Sequence, residues 1–212
     1  MTNIVLRGEE LSLLPEKAIY WPKEQLLLIA DLHLGKVEHF RKAGIAVPAE
    51  AGEANYHVLQ ELILEHSPKR VIFLGDLFHS NYNYDWEMFS DFLESHDNVS
   101  FELIKGNHDI LHKSQYDRVD MIIHQESLIV GPFLFTHDPV ISEVHYNLCG
   151  HIHPCYKMRG KSRQYLRLPC FYFGKYGGIL PALGSFTGMH AVTTQDGDNV
   201  YVVADDQIIQ VE

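Results

Sequence analysis

Three apolar runs in the first half of the chain each stop on side chains able to bind a metal ion or carry a proton. Leu26-Leu27-Leu28-Ile29 leads into Asp31-Leu32-His33, Val71-Ile72-Phe73-Leu74 into Gly75-Asp76-Leu77-Phe78-His79, and Phe101 to Ile104 into Gly106-Asn107-His108-Asp109. Runs that are apolar without alternation are the mark of strands buried on both faces, as in the parallel part of an α/β layer. Such sheets hold their functional groups beyond the carboxyl ends of the strands. A fourth polar group, Gly150-His151-Ile152-His153, stands far downstream with two imidazoles spaced so that both face one way on extended backbone.

The remaining pattern fills in the architecture. Strands are expected near Leu26 to Ala30, Arg70 to Leu74 and Val99 to Lys105, with helices at Glu50 to His66 and Asp85 to His96. Strands then dominate: Asp120 to Gln125, Leu128 to Val130, Phe133 to Thr136, Tyr146 to Cys149, Tyr165 to Phe173, Gly178 to Leu180, Met189 to Thr194 and Val200 to Ala204. Turns fall at Gly131-Pro132 and at Gln195 to Asn199, where Asp196-Gly197 reads as a hairpin. An α/β (α+β) fold, two sheets packed as a sandwich with helices outside, would bury this many strands.

With 212 residues, 46% of them hydrophobic, and no Pro/Gly/Ser-rich linker, one domain over residues 1–212 is expected. No signal peptide or bilayer-length apolar stretch stands out, so a cytoplasmic protein without a membrane partner is expected. Cys149, Cys155 and Cys170 form neither a disulfide framework nor a zinc ribbon and read as reduced, partly buried thiols. The net charge of -11 opposes polyanion binding by the surface as a whole. A local exception runs from Tyr156 to Tyr176, where Lys157, Arg159, Lys161, Arg163, Arg167 and Lys175 occur without an acidic residue. The first four alternate, placing their charges on one face of a strand, unless Gly160 makes a turn there.

Phosphoryl transfer asks a protein for positioned positive charge and an activated nucleophile, and a pair of metal ions supplies both. Asp76 suits the bridge between two divalent ions, with Asp31 and His33 on one, Asn107 on the other, and His137, His151 and His153 completing the shells. Mixed imidazole, carboxylate and amide donors favour Mn, with Fe or Zn as alternatives. His108 is not needed as a ligand and is placed as general acid or as a stabiliser of transition-state charge. His79 is placed to orient the phosphate or assist His108. Singly, an Asp-x-His or Gly-Asp after a strand is ordinarily a turn or a satisfied polar pair, and the basic run can be a solvated hairpin. All four groups in order are what point to metal chemistry.

At these residues the chain resembles the calcineurin-like metallophosphoesterase superfamily, whose signature is Asp-x-His, Gly-Asp, Gly-Asn-His-Asp/Glu and Gly-His-x-His. The resemblance implies a helix-flanked β-sandwich, one metal on Asp31, His33, Asp76 and His153, the other on Asp76, Asn107, His137 and His151, and His108 as catalytic histidine. Asp138 departs from the glycine many members carry there. More narrowly, Asp31 to Lys36, His39 to Gly44 and Leu180-Pro181-Ala182-Leu183-Gly184-Ser185-Phe186-Thr187-Gly188 resemble the ligase-associated DNA-damage-response endonucleases of the PdeM family. Gly75 to His79 is similar to the same segment of double-strand-break repair nucleases of this fold, where the extra histidine helps with diesters.

These resemblances imply a phosphodiesterase or endonuclease of bacterial DNA repair, acting by in-line attack of a metal-bridging hydroxide, with DNA as substrate and a DNA ligase and a helicase as partners. Lys36 and Arg41 after the first motif, Lys42 beside them, and Lys157 and Arg159 in the basic run are the expected backbone contacts. The alternative on the same site is an esterase for small phosphorylated metabolites or phosphoproteins, which the acidic surface favours. A scaffold that has lost its chemistry is opposed by the intact ligand set. Homo-oligomer formation is compatible with either activity.

Overall fold

In the computed structural model the described residues are 1–42, 44, 46, 50–79, 84–159, 164–185 and 187–212. Ala43, Gly160, Lys161, Arg163 and Phe186, which belong to segments singled out above, lie outside them. The strands are β1 (Thr2–Leu6), β2 (Glu9–Leu13), β3 (Ile19–Trp21), β4 (Leu26–Ile29), β5 (Arg70–Phe73), β6 (Ser100–Ile104), β7 (Met121–His124) and β8 (Ser127–Val130). They continue as β9 (Phe133–Thr136), β10 (Tyr146–Cys149), β11 (Pro154–Arg159), β12 (Tyr165–Phe173), β13 (Gly177–Ile179), β14 (His190–Ala191), β15 (Asn199–Ala204) and β16 (Gln207–Gln210). The helices are α1 (Lys36–Lys42), α2 (Glu50–His66), α3 (Tyr84–Glu94) and the short α4 (Lys113–Tyr116).

Strands β1 to β7 form one sheet in sequence order, antiparallel as far as β4 and parallel from β4 to β7. The second sheet runs β14-β11-β12-β13-β10-β9-β8, with β15 and β16 joined through β12. The inner strands β4 and β5 are buried on both faces, which explains the apolar runs Leu26 to Ile29 and Val71 to Leu74. On one face Leu27, Ile29, Val71, Phe73, Phe101 and Leu103 pack under helical Leu59, Leu62, Trp86 and Phe89. On the other, Leu26, Leu28, Ile72, Leu74 and Ile104 meet Phe133, Phe135, Leu148, Phe171 and Phe173 across the sandwich. The loops after β4, β5, β6, β9 and β10 therefore gather at one end of the two layers. No helix among the described residues is long and apolar enough to cross a membrane.

Two local expectations are corrected. Met189 to Thr194 contributes only β14, which pairs with β11, and Asp196-Gly197 joins no hairpin. Both edges of β15 are already occupied, by β12 and β16, so the preceding segment has no free edge to join. Asp198 closes the turn instead, accepting from the Gln195 N–H at 2.8 Å and the Tyr172 hydroxyl at 2.7 Å. The basic run does not stay one strand: Lys157 and Arg159 lie on β11, opposite Arg167 and Tyr165 on β12. All three cysteines are free and fully buried, where partial burial was expected.

Candidate metal centre

The loop after β4 is zipped to the loop after β5 by main-chain bonds. Asp31 N–H donates to Gly75 O (3.3 Å), His33 N–H to Asp76 O (2.9 Å) and Leu34 N–H to Leu77 O (2.8 Å). From the far end of the chain, Leu183 N–H donates to Ala30 O at 2.9 Å and Gly184 N–H to Asp31 O at 3.1 Å. Asn55 of α2 ties the two together, donating to Leu32 O and accepting from the Ser185 N–H and hydroxyl. Asp31, His33, Asp76, His151 and His153 have φ between 48° and 66° and make up half of the ten described non-glycine residues at positive φ. Non-glycine residues adopt that conformation at a cost of about 1–3 kcal/mol each, and they concentrate where surrounding structure and function demand it.

Two groups of donors result. The ligand atoms of Asp31, His33 and His153 all lie within 4.8 Å of one another, and so do those of Asp76, His137 and His151. In the first group His153 Nε2 is 3.4 Å from both His33 Nε2 and Asp31 Oδ1. In the second, His137 Nε2 is 3.0 Å from His151 Nδ1 and 3.1 Å from Asn107 Oδ1. Asp76 reaches both: its Oδ1 is 3.4 Å from His137 Nε2 and its Oδ2 is 3.7 Å from His33 Nε2. A glycine at 106 leaves room for this carboxylate, since a Cβ there would collide with Asp76 Oδ1.

The donor set fits divalent ions. Ligands about 2.1 Å from a tetrahedral ion stand about 3.4 Å apart, close to the 3.4 Å of the first group and the 3.0 to 3.4 Å of the second. The outward nitrogens are also committed. His137 Nδ1 lies 2.9 Å from Leu74 O and His153 Nδ1 3.0 Å from Gly188 O, so each Nδ1 carries the proton and each Nε2 presents its lone pair inward. Those lone pairs face carboxylate and amide oxygens, an arrangement a cation satisfies. Burial, with the charge of Lys36 adding to it, pushes the His33 pKa down to about 2 and keeps its imidazole neutral and able to bind a metal. Imidazole with carboxylate and amide oxygen suits Mn, Fe or Zn.

The other expected residues fall around this frame. His108 donates its backbone N–H to Asp76 Oδ1 at 2.9 Å, and its ring lies 5.3 Å from that of His33, beside the first donor group. His79 stacks on His108 at 5.0 Å, and its Nδ1 is 3.4 Å from His33 Nδ1, the nitrogen turned away from the donor group. Lys36, opening α1, is half-buried; burial lowers its pKa while Asp76 and Asp31 oppose the shift. Arg41 is exposed on α1. Lys157 and Arg159 are exposed on the strand that leaves His153, and Lys157 sits 4.1 Å above the Tyr165 ring.

Several supporting residues were not anticipated. Asp109, buried, accepts from Phe78 N–H and Gly106 N–H and so pins the loop after β6 to the loop after β5. Burial raises its pKa to about 6 even though both donors oppose it. Asn147 on β10 holds the loop after His137, accepting from Val140 N–H at 2.9 Å and donating to Thr136 Oγ1 at 2.7 Å. Asp138 lies 3.6 Å from His151 Nε2, so the residue that departs from the family pattern meets the outward nitrogen of His151.

The model of the calcineurin-like phosphoesterase family matches residues 25–168. The chain belongs to that family, whose members hydrolyse phosphate esters with divalent metals. Among solved structures it is similar to Pseudomonas putida nuclease MPE, with 31% identity, a TM-score of 0.82 and 99% of each chain covered. It also aligns with Yfce, a phosphoesterase from E. coli, at 15% identity and a TM-score of 0.47 over 88% of this chain and 97% of that one. No curated protein matches.

Proposed function

We propose that the chain is a dinuclear metal-dependent phosphodiesterase that cleaves DNA as an endonuclease. The observation that carries this reading is the Asp76 carboxylate, with one oxygen turned to each donor group. Asp31, His33, Asp76 and His153 would hold one ion and Asp76, Asn107, His137 and His151 the other, with Mn favoured over Fe or Zn. Bound there, the ions neutralise the phosphoryl oxygens and lower the pKa of water. The residues supply the rest. His108, fixed through its backbone to Asp76, delivers a proton to the leaving oxygen. His79 bears on His33 and His108 together, holding both rings in register. Lys36 and Arg41, with Lys157 and Arg159, follow the strand's phosphates.

The similarity over the full chain to a protein described as a nuclease supports the nucleic-acid substrate. A place in bacterial DNA repair beside a ligase and a helicase, in the cytoplasm, as one domain, is part of the same proposal and rests on the PdeM-like segments. A second reading, an esterase for small phosphorylated metabolites or phosphoproteins, is favoured by the net charge of -11. Purified protein with Mn, given single-stranded, nicked and duplex DNA beside a chromogenic phosphomonoester, separates the two. DNA cleavage abolished by a chelator is expected. Monoester hydrolysis without any DNA cleavage would leave the esterase.

A further inference from the structure

Lys17 is a cation without a counter-ion in a place where one is hard to explain structurally. It sits at φ 67 in the turn between β2 and β3, and its ammonium reaches under the segment that braces Asp31, donating to Leu183 O at 2.8 Å. Burial lowers its pKa, and no carboxylate opposes that shift, in contrast to Lys36. Among the described residues no Asp or Glu pairs with it, although the chain carries 28 acidic residues against 17 basic ones. A half-buried ammonium held by one carbonyl keeps two donors to spend, and desolvation without a counter-ion is costly unless an anion completes the site.

The space beside it is a cavity of about 160 Å³ lined by Lys17, His153, Gly184, Ser185, Thr187 and Met189. His153 is shared: its Nε2 faces Asp31 in the first donor group while its ring walls the cavity. The cavity is thus one imidazole away from the first donor group. Among the described residues that line it, Lys17 is the one lysine or arginine and none is acidic. The occupant that suits a phosphate-sized space, a single ammonium and a position next to the metals is a second phosphate of the same substrate.

We propose that Lys17 and this cavity form a subsite for the phosphate adjoining the scissile one along a nucleic-acid strand. This rests on the nuclease reading above. It deepens that reading by giving the enzyme a preference for substrates with two neighbouring phosphates over isolated diesters.

The test measures dinucleotides as inhibitors of chromogenic phosphate-ester hydrolysis. Three are compared: one without a terminal phosphate, one phosphorylated at the 5′ end and one at the 3′ end. In the wild type, one of the phosphorylated forms should bind roughly tenfold more tightly than the unphosphorylated one, the size of one charge-assisted hydrogen bond. In Lys17→Met that ratio should fall to about one. Thr187→Asp, which sets a carboxylate on the wall of the same cavity and leaves Lys17 and Leu183 in place, should also reduce it and serves if Lys17→Met does not fold. Equal inhibition by all three in the wild type, or an advantage that survives both substitutions, would overturn the subsite. Failure of the wild type to cleave single-stranded, nicked or duplex DNA would count against the nuclease reading alone, since the inhibition ratio is read without DNA cleavage.

Discussion

Gly8 and Gly75 share a φ of +83°, and this coincidence allows the packing around His137 to be measured in isolation. An alanine at either position is forced to a positive φ, at a cost of about 1–2 kcal/mol. At Gly8 nothing lies within 4 Å of the added Cβ, so Gly8→Ala should cost no more than that. At Gly75 the Cβ would collide with the His137 ring, whose Nδ1–H is bonded to Leu74 O at 2.9 Å. Moving the ring breaks that buried bond and leaves a carbonyl unpaired, adding about 1–3 kcal/mol. Gly75→Ala should therefore destabilise by roughly 2–5 kcal/mol, a figure read from urea unfolding of metal-free protein. The same displacement carries His137 Nε2 away from Asp76 and His151, so Mn affinity should fall about 10- to 100-fold in Gly75→Ala. Gly8→Ala should retain wild-type affinity. Equal losses of stability in the two variants, with equal Mn affinity, would refute the contact and the orientation assigned to His137.

His108→Ala should slow a nucleotide diester by roughly 100- to 10,000-fold but an activated aryl diester far less, with metal content unchanged; equal loss on both would make His108 a charge stabiliser rather than a proton donor. Glu102 is buried, and burial alone would raise its pKa, but the hydrogen bonds from Arg70 (2.8 Å) and His124 (2.7 Å) outweigh it and hold the value below 4.5. A carboxylate depressed in the folded state stabilises above its unfolded pKa and loses that contribution as pH falls through the folded value. Glu102→Gln should therefore cost about 1–3 kcal/mol at pH 7 and progressively less below pH 4.5, and a difference independent of pH would contradict this. Charge reversal of Lys157 and Arg159 should weaken DNA affinity and flatten its log–log salt dependence by about 1–2, whereas an unchanged slope returns β11 and β12 to a solvated hairpin.

The candidate site was legible wherever a parallel strand leads into a donor, because burial on both faces writes Leu26 to Ile29 and Val71 to Leu74 as apolar runs that stop just before Asp31 and Asp76. What fixes those ligands was mostly illegible. Leu74 and Gly188 act through backbone carbonyls, which carry no residue identity, and Asn55 reads as one more polar residue of α2 until Ser185, 130 positions later, folds against it. The sheet's antiparallel flank was missed for a different reason. β1 is half-exposed, and its turn to β2 uses Arg7-Gly8, with φ values of 53° and 83°, in place of an Asn-Gly signal. The hairpin expected at Asp196-Gly197 failed because turn chemistry is local, while pairing depends on which edges β12 and β16 have already taken.

Everything proposed for the chemistry depends on Asp76 joining two ions, and metal stoichiometry tests that directly. Elemental analysis of wild-type protein loaded with Mn and desalted should give two ions per chain. Asp76→Asn keeps the shape but removes the charge shared between the two donor groups, and should retain one ion or none, with turnover nearly abolished. Two ions per chain together with wild-type turnover in Asp76→Asn would contradict the bridging role.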